Sequence, residues 1–562
     1  MAYGRGSPAL GPRAGSAQAG ATWGERARGE VVAAGLARWA WVVVPAGFLG
    51  LFVVWPLVAV LARSFRDVGL DRFVDVATRS STRSVLVFTL VQAAVSTGLT
   101  MLIGLPVAQV LARYQFWGKR ALRALVVVPF VLPTVVVASA FVALFQRSPV
   151  WSSRSLGAIL AAHVFFNVAV VVRIVGGFWS TSDRRLEESA RVLGANQWQT
   201  FRLVSLPRLA PVLAASGVLV FLFSFTSFGV IRVLGGPARA TIETEIYRYA
   251  VRRTEFDVAG VLALIQVGVV SVLAVMSGRF QRRVTRVQRG SRRPLSVPVR
   301  GWGARLHLFG GLGLVVVVIV VPLMVLVEGS LAVDDGYGFD HYRRLFESGD
   351  LLPVSAMRAV VNSLVFAVMA ALVAMAVGVS AAVAVVGGGR VGRWLEALTL
   401  VPLGVSAVTL GFGYLLAFTV FDFRRSIWLV PLAHAVIGLP FVLASVVPAL
   451  RSIDPRMREA AASLGATRLA VRRTIEWPLV RAAVVTGGGF AAAVSIGEFG
   501  ATSFLARGDA SFTAPLAVFR LVSQPGAVLR GQALALSVVV GLLVGVIAVA
   551  IEWRRGDGVT LL

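Results

Sequence analysis

Long apolar runs separated by short, arginine-bearing gaps recur from one end of the chain to the other. Stretches such as "WAWVVVPAGFLGLFVVWPLVAVLA" (39–62) and "LFGGLGLVVVVIVVPLMVLV" (308–327) are long enough to cross a hydrocarbon core of about 30 Å as helices. They lack the strict alternation of a barrel strand, which excludes an outer-membrane barrel. Marking the runs predicts spans near 39–63, 85–112, 122–145, 156–179, 209–231 and 258–278, then near 306–328, 359–386, 394–420, 427–450, 481–504 and 531–553. The pattern predicts an all-α polytopic membrane protein of about 12 transmembrane helices.

Charge refines this picture. The net charge of +28 would suggest nucleic acid in a soluble protein, but the arginines gather between the apolar runs, as the positive-inside rule requires, so no nucleic-acid partner is expected. Residues 1–36, rich in Gly, Ala and Arg, read as a disordered cytoplasmic tail. The first apolar run is too long for a signal-peptide core, so it reads as an uncleaved first helix. Residues 279–305 carry nine arginines and no acid and read as a basic cytoplasmic linker between halves spanning 37–278 and 306–555. Six spans lie in each half, so the second repeats the orientation of the first: a parallel repeat, with both termini cytoplasmic.

The most informative passage is polar. "EESARVLGANQWQTFRLVSLP" (187–207) and "REAAASLGATRLAVRRTIEWP" (458–478) match with a constant offset of 271 residues, each following the fourth span of its half. Asp183 and Asp454 suit helix N-caps, Pro455 suits a first helical turn, and Gly194 and Gly465 suit the left-handed residue that ends a short helix. Asn196 and Thr467 can cap a second helix running to Pro207 and Pro478, where a turn into the next span is expected. Each copy thus reads as helix, glycine turn, helix at the membrane surface, within loops 183–208 and 454–479.

These residues resemble the signature of type I ABC importer permeases: Glu-Ala-Ala, three residues, Gly, nine residues, an aliphatic, one residue, Leu-Pro. The first copy supplies Glu188, Ser189, Ala190, Gly194, Val204, Leu206 and Pro207; the second supplies Glu459, Ala460, Ala461, Gly465, Ile475, Trp477 and Pro478. Ser189 and Trp477 depart from the pattern. The resemblance implies a type I permease fold in the plasma or inner membrane, with the short helices docking two separate ATP-binding cassette subunits. It also implies an extracytoplasmic solute-binding protein that delivers cargo. No Walker A loop is present: the sole lysine, Lys119, lies in "QFWGKRALRA" with the wrong spacing. The chain is therefore expected to bind no cofactor itself, with ATP and Mg²⁺ held by the partners, and not to be an enzyme.

Further candidates lie in the fifth spans. "AAAVSIGEFGATSFLARG" places Glu498 in an apolar segment, with Ser227 as its counterpart in "VFLFSFTSFGVIRVLGG" and Gly229 matching Gly500. An intramembrane carboxylate is costly, so Glu498 reads either as a group on the substrate pathway or as one held by neighbouring helix ends or by an arginine such as Arg173. His163 and His434, at equivalent depths in the fourth spans, read as structural, with no metal site. The double permease, "SIGEFGA" and "VLGGPARATIETEIYRYA" (233–250) resemble the thiamine and iron(III) importer permeases, with thiamine first and iron(III) second. Sulfate, molybdate or phosphonate-type anions, and a secondary transporter with internal repeats, stand as alternatives.

Overall fold

The computed structural model describes residues 41–66, 69–147, 152–181, 185–236, 238–288, 297–334, 336–401, 405–418, 426–506 and 508–555. The expected tail, 1–36, lies outside them. So do residues 289–296 of the expected linker, whose first part continues the sixth span as helix to Gln288.

Among the described residues ten helices are long and apolar enough to cross a membrane: Trp41–Ser64, Ser80–Arg113, Leu156–Ser180, Trp198–Phe225, Phe256–Phe280, Trp302–Leu331, Ala356–Val386, Leu429–Arg451, Leu469–Gly497 and Ala527–Ile551. The pair Lys119–Val131 and Thr134–Gln146 is apolar enough when taken together but is bent by 102°, the geometry of a broken span or of a re-entrant loop; as one span it makes eleven. These ten or eleven spans agree with the expected all-α polytopic fold of about 12, and the difference falls at the third position of each half. Pro133 has no N–H and restricts the residue before it, so Leu132 is extended (φ −62°, ψ 141°) and the helix stops and restarts around it. In the second half the stretch expected as one span over 394–420 is two helices, Gly389–Leu400 and Ala407–Ala417, while Pro402 lies outside the described residues.

Prolines that do not break a helix are accommodated differently. Pro56, Pro207, Pro322 and Pro478 each follow by two residues a five-residue π turn: Gly50–Val54, Phe201–Ser205, Val316–Val320 and Arg472–Glu476. In each, the residue before proline donates to the carbonyl five positions back, for example Leu206 to Phe201 and Trp477 to Arg472. The wider turn accommodates the ring that would otherwise meet the carbonyl four positions back. Consequently no turn occurs at Pro207 or Pro478, contrary to expectation; Trp198–Phe225 and Leu469–Gly497 run through them as single helices.

Each half is built on its second, fourth and fifth spans. The second and fourth approach closely at a glycine: a Cβ on Gly104 would stand 2.9 Å from Val171 Cβ, and one on Gly378 would stand 2.6 Å from Val442 Cγ1. Val171 and Val442 are again 271 residues apart. Small residues permit such backbone approach where lipid supplies no hydrophobic drive between helices. The opening helix of each half crosses to the other half: Trp55–Arg66 lies on Ala407–Ala417, and Val321–Leu331 lies on Thr134–Gln146. Tyr414 Oη donates to the carbonyl of Phe52 at 2.7 Å, fastening one of these crossings.

Candidate functional site

Both repeated passages fold as helix, glycine turn, helix. The first short helix is Arg185–Val192, and Gly194 follows with φ +87°; the second is Pro455–Ser463, followed by Gly465 with φ +81°. In each the glycine N–H bonds three residues back (Gly194 to Arg191, Gly465 to Ala462) and the next N–H bonds five back (Ala195 to Ala190, Ala466 to Ala461), both at 3.0 Å. This is a Schellman closure, which needs a left-handed residue. Asp454 accepts from Arg456 N at 2.9 Å as the N-cap, while Asp183 lies outside the described residues. Asn196 Oδ1 accepts from Gln199 N at 2.8 Å, Gln199 Oε1 accepts from Asn196 N at 2.9 Å, and Thr467 Oγ1 accepts from Ala470 N at 3.3 Å.

One side chain on each short helix ties it to the following span. Ser205 donates to Glu187 at 2.7 Å, and Arg113 from the second span donates to the same carboxylate at 2.9 Å. At the equivalent positions Arg458 Nε donates to Glu476 at 2.8 Å. The two halves keep one clamp with its acid moved from the short helix to the next span. Glu188 and Glu459, one residue on, are exposed, as are Ser189 and Ala460; Ala190 and Ala461 are half-buried, and Pro207 and Pro478 are exposed on the helices that follow.

Besides Leu206 and Trp477 of the signature, three apolar positions are exposed in both copies: Leu186 and Met457, Leu193 and Leu464, Trp198 and Leu469. Leu193 and Leu464 are 87% and 89% exposed, an arrangement that marks a contact surface rather than a core. The sequence reading named the acid and glycine positions but not these; the recurrence of bulky apolar residues inside a polar passage at the repeat offset was the available signal.

At the other end of the fifth spans the halves meet. Phe228 and Phe499, equivalent by the same offset, stack with centroids 5.3 Å apart and planes 23° apart. Tyr247 touches Phe228 at 5.5 Å and Phe519 touches Phe499 at 5.3 Å, so four rings from two halves occupy the seam. The expected pathway residues flank this stack. Ser227 is buried; Gly229 lies where a Cβ would meet Thr134 Oγ1 at 2.2 Å, and Gly500 where one would meet Ala407 Cβ at 3.0 Å. Each glycine therefore seats its phenylalanine against the helix that restarts after the break in the third span.

Glu498 is turned inward. Its carboxylate accepts from Ala501 N (2.8 Å), Thr502 N (2.9 Å) and Thr502 Oγ1 (2.6 Å), and lies 3.2 Å from His434 Nε2, while His434 Nδ1 meets Ser495 Oγ at 2.7 Å. Of the two readings left open for it, the geometry is that of a group held by a helix end, with His434 rather than Arg173 beside it. His163 meets Ser96 Oγ at 3.0 Å. Another buried carboxylate, Glu243, bridges the halves, accepting from Gln266 and from Ser406 Oγ (3.2 Å), the N-cap of Ala407–Ala417. Sequence reasoning quoted its segment without singling it out, because "TIETEIY" (241–247) reads as a polar stretch and the burial of Glu243 comes only from the packing of the halves. Among the described residues no cluster of three His, Cys, Asp or Glu side chains could hold a metal.

Comparison with known proteins fits this geometry. Residues 100–289 match the family profile "Binding-protein-dependent transport system inner membrane component". A molybdenum transport system permease protein of Mycobacterium tuberculosis is 32% identical over 253 residues, 43% of this chain and 94% of that protein. A sulfate transport system permease protein of Escherichia coli is 30% identical over 254 residues, 42% of this chain and 91% of that protein. A thiamine transport system permease protein of Brucella abortus is 26% identical over 486 residues, 81% of this chain and 84% of that protein, a match that takes in both halves. The chain belongs to the binding-protein-dependent transport system inner membrane components, as a fused double permease of an ABC importer.

Proposed function

We propose that this permease imports thiamine or a closely similar small solute, with two ATP-binding subunits docked on its two passages and a solute-binding protein delivering cargo at the opposite face. The observation that carries the docking reading is the pair of passages. Two surfaces with the same glycine closure, the same exposed glutamate and the same exposed apolar positions suit two copies of one partner. The passages face the cytoplasm and the chain sits in the plasma membrane in this reading, since arginines concentrate on that side. ATP and Mg²⁺ belong to the partners. Closure of the two ATPase subunits would draw the passages together and transmit that motion through the unbroken fifth spans to the Phe228–Phe499 stack, opening and closing the seam. The cargo rests on the Brucella relative, which is named for thiamine and matches both halves; iron(III) stands second, on resemblance in the fifth span alone.

Glu188→Arg together with Glu459→Arg is expected to abolish ATP-driven uptake of radiolabelled thiamine into proteoliposomes and to release the ATPase during purification, while the protein still inserts. Unchanged uptake with the ATPase still bound would sink the docking reading.

A further inference from the structure

At the end of the bundle opposite the passages, above the ring stack, a cavity of about 970 Å³ lies between the halves. That is the size of a site for a small organic ligand. The first half contributes Arg232, Arg239, Arg248 and Arg252 to its lining, with Arg154 beside them, and the second half contributes Arg520 and Arg530. Among the described lining residues Glu245 is the one carboxylate, and it is paired with Arg248. Arg239 donates to the carbonyl of Arg154 at 3.0 Å. For the rest no carboxylate partner occurs among the described residues. Arg232 is half-buried at the seam, its guanidinium over the rings of Tyr247 (5.2 Å) and Phe519 (5.3 Å), the two aromatics that touch the Phe228–Phe499 pair.

A concave site lined by one sign of charge concentrates the opposite ion, and arginine in particular matches tetrahedral oxyanions with paired N–H donors. Like charges packed without acids repel one another until an anion enters. Glu498 is enclosed by its own helix cap, which leaves Glu245, already paired with Arg248, as the one carboxylate among the described lining residues.

We propose that this cavity is the entry site for the cargo and that it recognises an oxyanion group, either a free tetrahedral oxyanion or a phosphate ester on a larger molecule. The inference rests on the importer reading above and departs from it on the cargo: thiamine itself carries no oxyanion group, whereas its phosphate esters do. A recessed cavity directly over the ring closure favours a small ligand over an acidic face of the binding protein, which would need an exposed patch.

The test is equilibrium dialysis of the complete permease–ATPase complex in nanodiscs, without ATP, against radiolabelled sulfate, molybdate, phosphate, thiamine monophosphate and thiamine. At least one oxyanion-bearing probe is expected to bind saturably and to weaken as salt rises. Arg232→Gln should reduce that binding about 10- to 100-fold, the loss that goes with one charge-assisted partner, and Arg232→Lys should restore part of it. Arg530→Gln, on the lining contributed by the second half, serves as a second variant should Arg232→Gln fail to fold. Binding of an inorganic oxyanion would identify a free anion as cargo, whereas binding of thiamine monophosphate alone would identify a phosphate ester. The proposal is overturned if no oxyanion probe binds, if thiamine binds equally well with and without Arg232, or if the arginine variants weaken only the association of the binding protein. The same dialysis on the full-length permease alone in nanodiscs gives these readouts whether or not the ATPase docks, so a failure here is separable from a failure of the docking reading.

Discussion

The two ends of the bundle obey the internal repeat to different degrees. At the passage end equivalent positions hold equivalent geometry: Gly194 and Gly465 share a left-handed backbone, and even where the clamp residues differ, Glu187 with Ser205 and Arg458 with Glu476, the tie is made between the same two positions. At the opposite end the ring positions Phe228 and Phe499 agree, but the charge does not. Five of the cavity's arginines come from the first half and two from the second. The buried Glu243 has only Pro515 opposite it when Thr241 is matched with Thr513. Symmetry is kept at the two passages and abandoned at the cavity between the halves.

The sharpest way to break this comparison is at the shared core beneath both ends. Gly104→Val and Gly378→Val place a side chain within 3 Å of Val171 and Val442, and each is expected to cost about 1–3 kcal/mol or more, read as lowered thermal unfolding in detergent with both halves equally sensitive. Next come the clamps. Glu187→Ala removes the acceptor of both Arg113 and Ser205, and about 2 kcal/mol of local stability is expected to go with it. Arg458→Ala should cost less, about 1 kcal/mol, because its pair is more exposed; hydrogen exchange of the passage amides separates the two. Glu243→Ala strands Gln266 and Ser406 and is expected to cost about 1–3 kcal/mol in thermal stability, whereas Pro515→Ala, its counterpart, should cost under about 1 kcal/mol. The smallest effect belongs to Pro207→Ala and Pro478→Ala. The π turns already absorb these rings, so stability should shift by less than about 1 kcal/mol while uptake persists; a large loss at either would mean the wide turn is strained.

Much of this arrangement was legible in the sequence because it is local. Asn196, Thr467 and Asp454 cap where their side-chain chemistry allows, and the glycines eleven residues after Asp183 and Asp454 mark the left-handed turns. The break at Leu132 was not legible, because the apolar run continues across it and only Pro133 signals the change; hydropathy records burial, not direction. Nor was the fate of Glu498: the backbone N–H groups that receive it belong to Ala501 and Thr502, whose helical start depends on packing around Gly500. The ring stack was half visible, as a Phe-Gly pair repeated at 271 residues, but its closure across the seam is a long-range fact.

The crossing of each opening helix onto the opposite half bears on assembly. Trp55–Arg66 and Val321–Leu331 complete each other's halves, so neither half can finish its packing without a mate. If the halves were separate chains, two first halves could pair through the same crossings, giving a mouth with ten arginines; two second halves would give one with four. Joining them in one polypeptide makes the unlike pairing the one within reach at high effective concentration, and so fixes the composition of the mouth during synthesis.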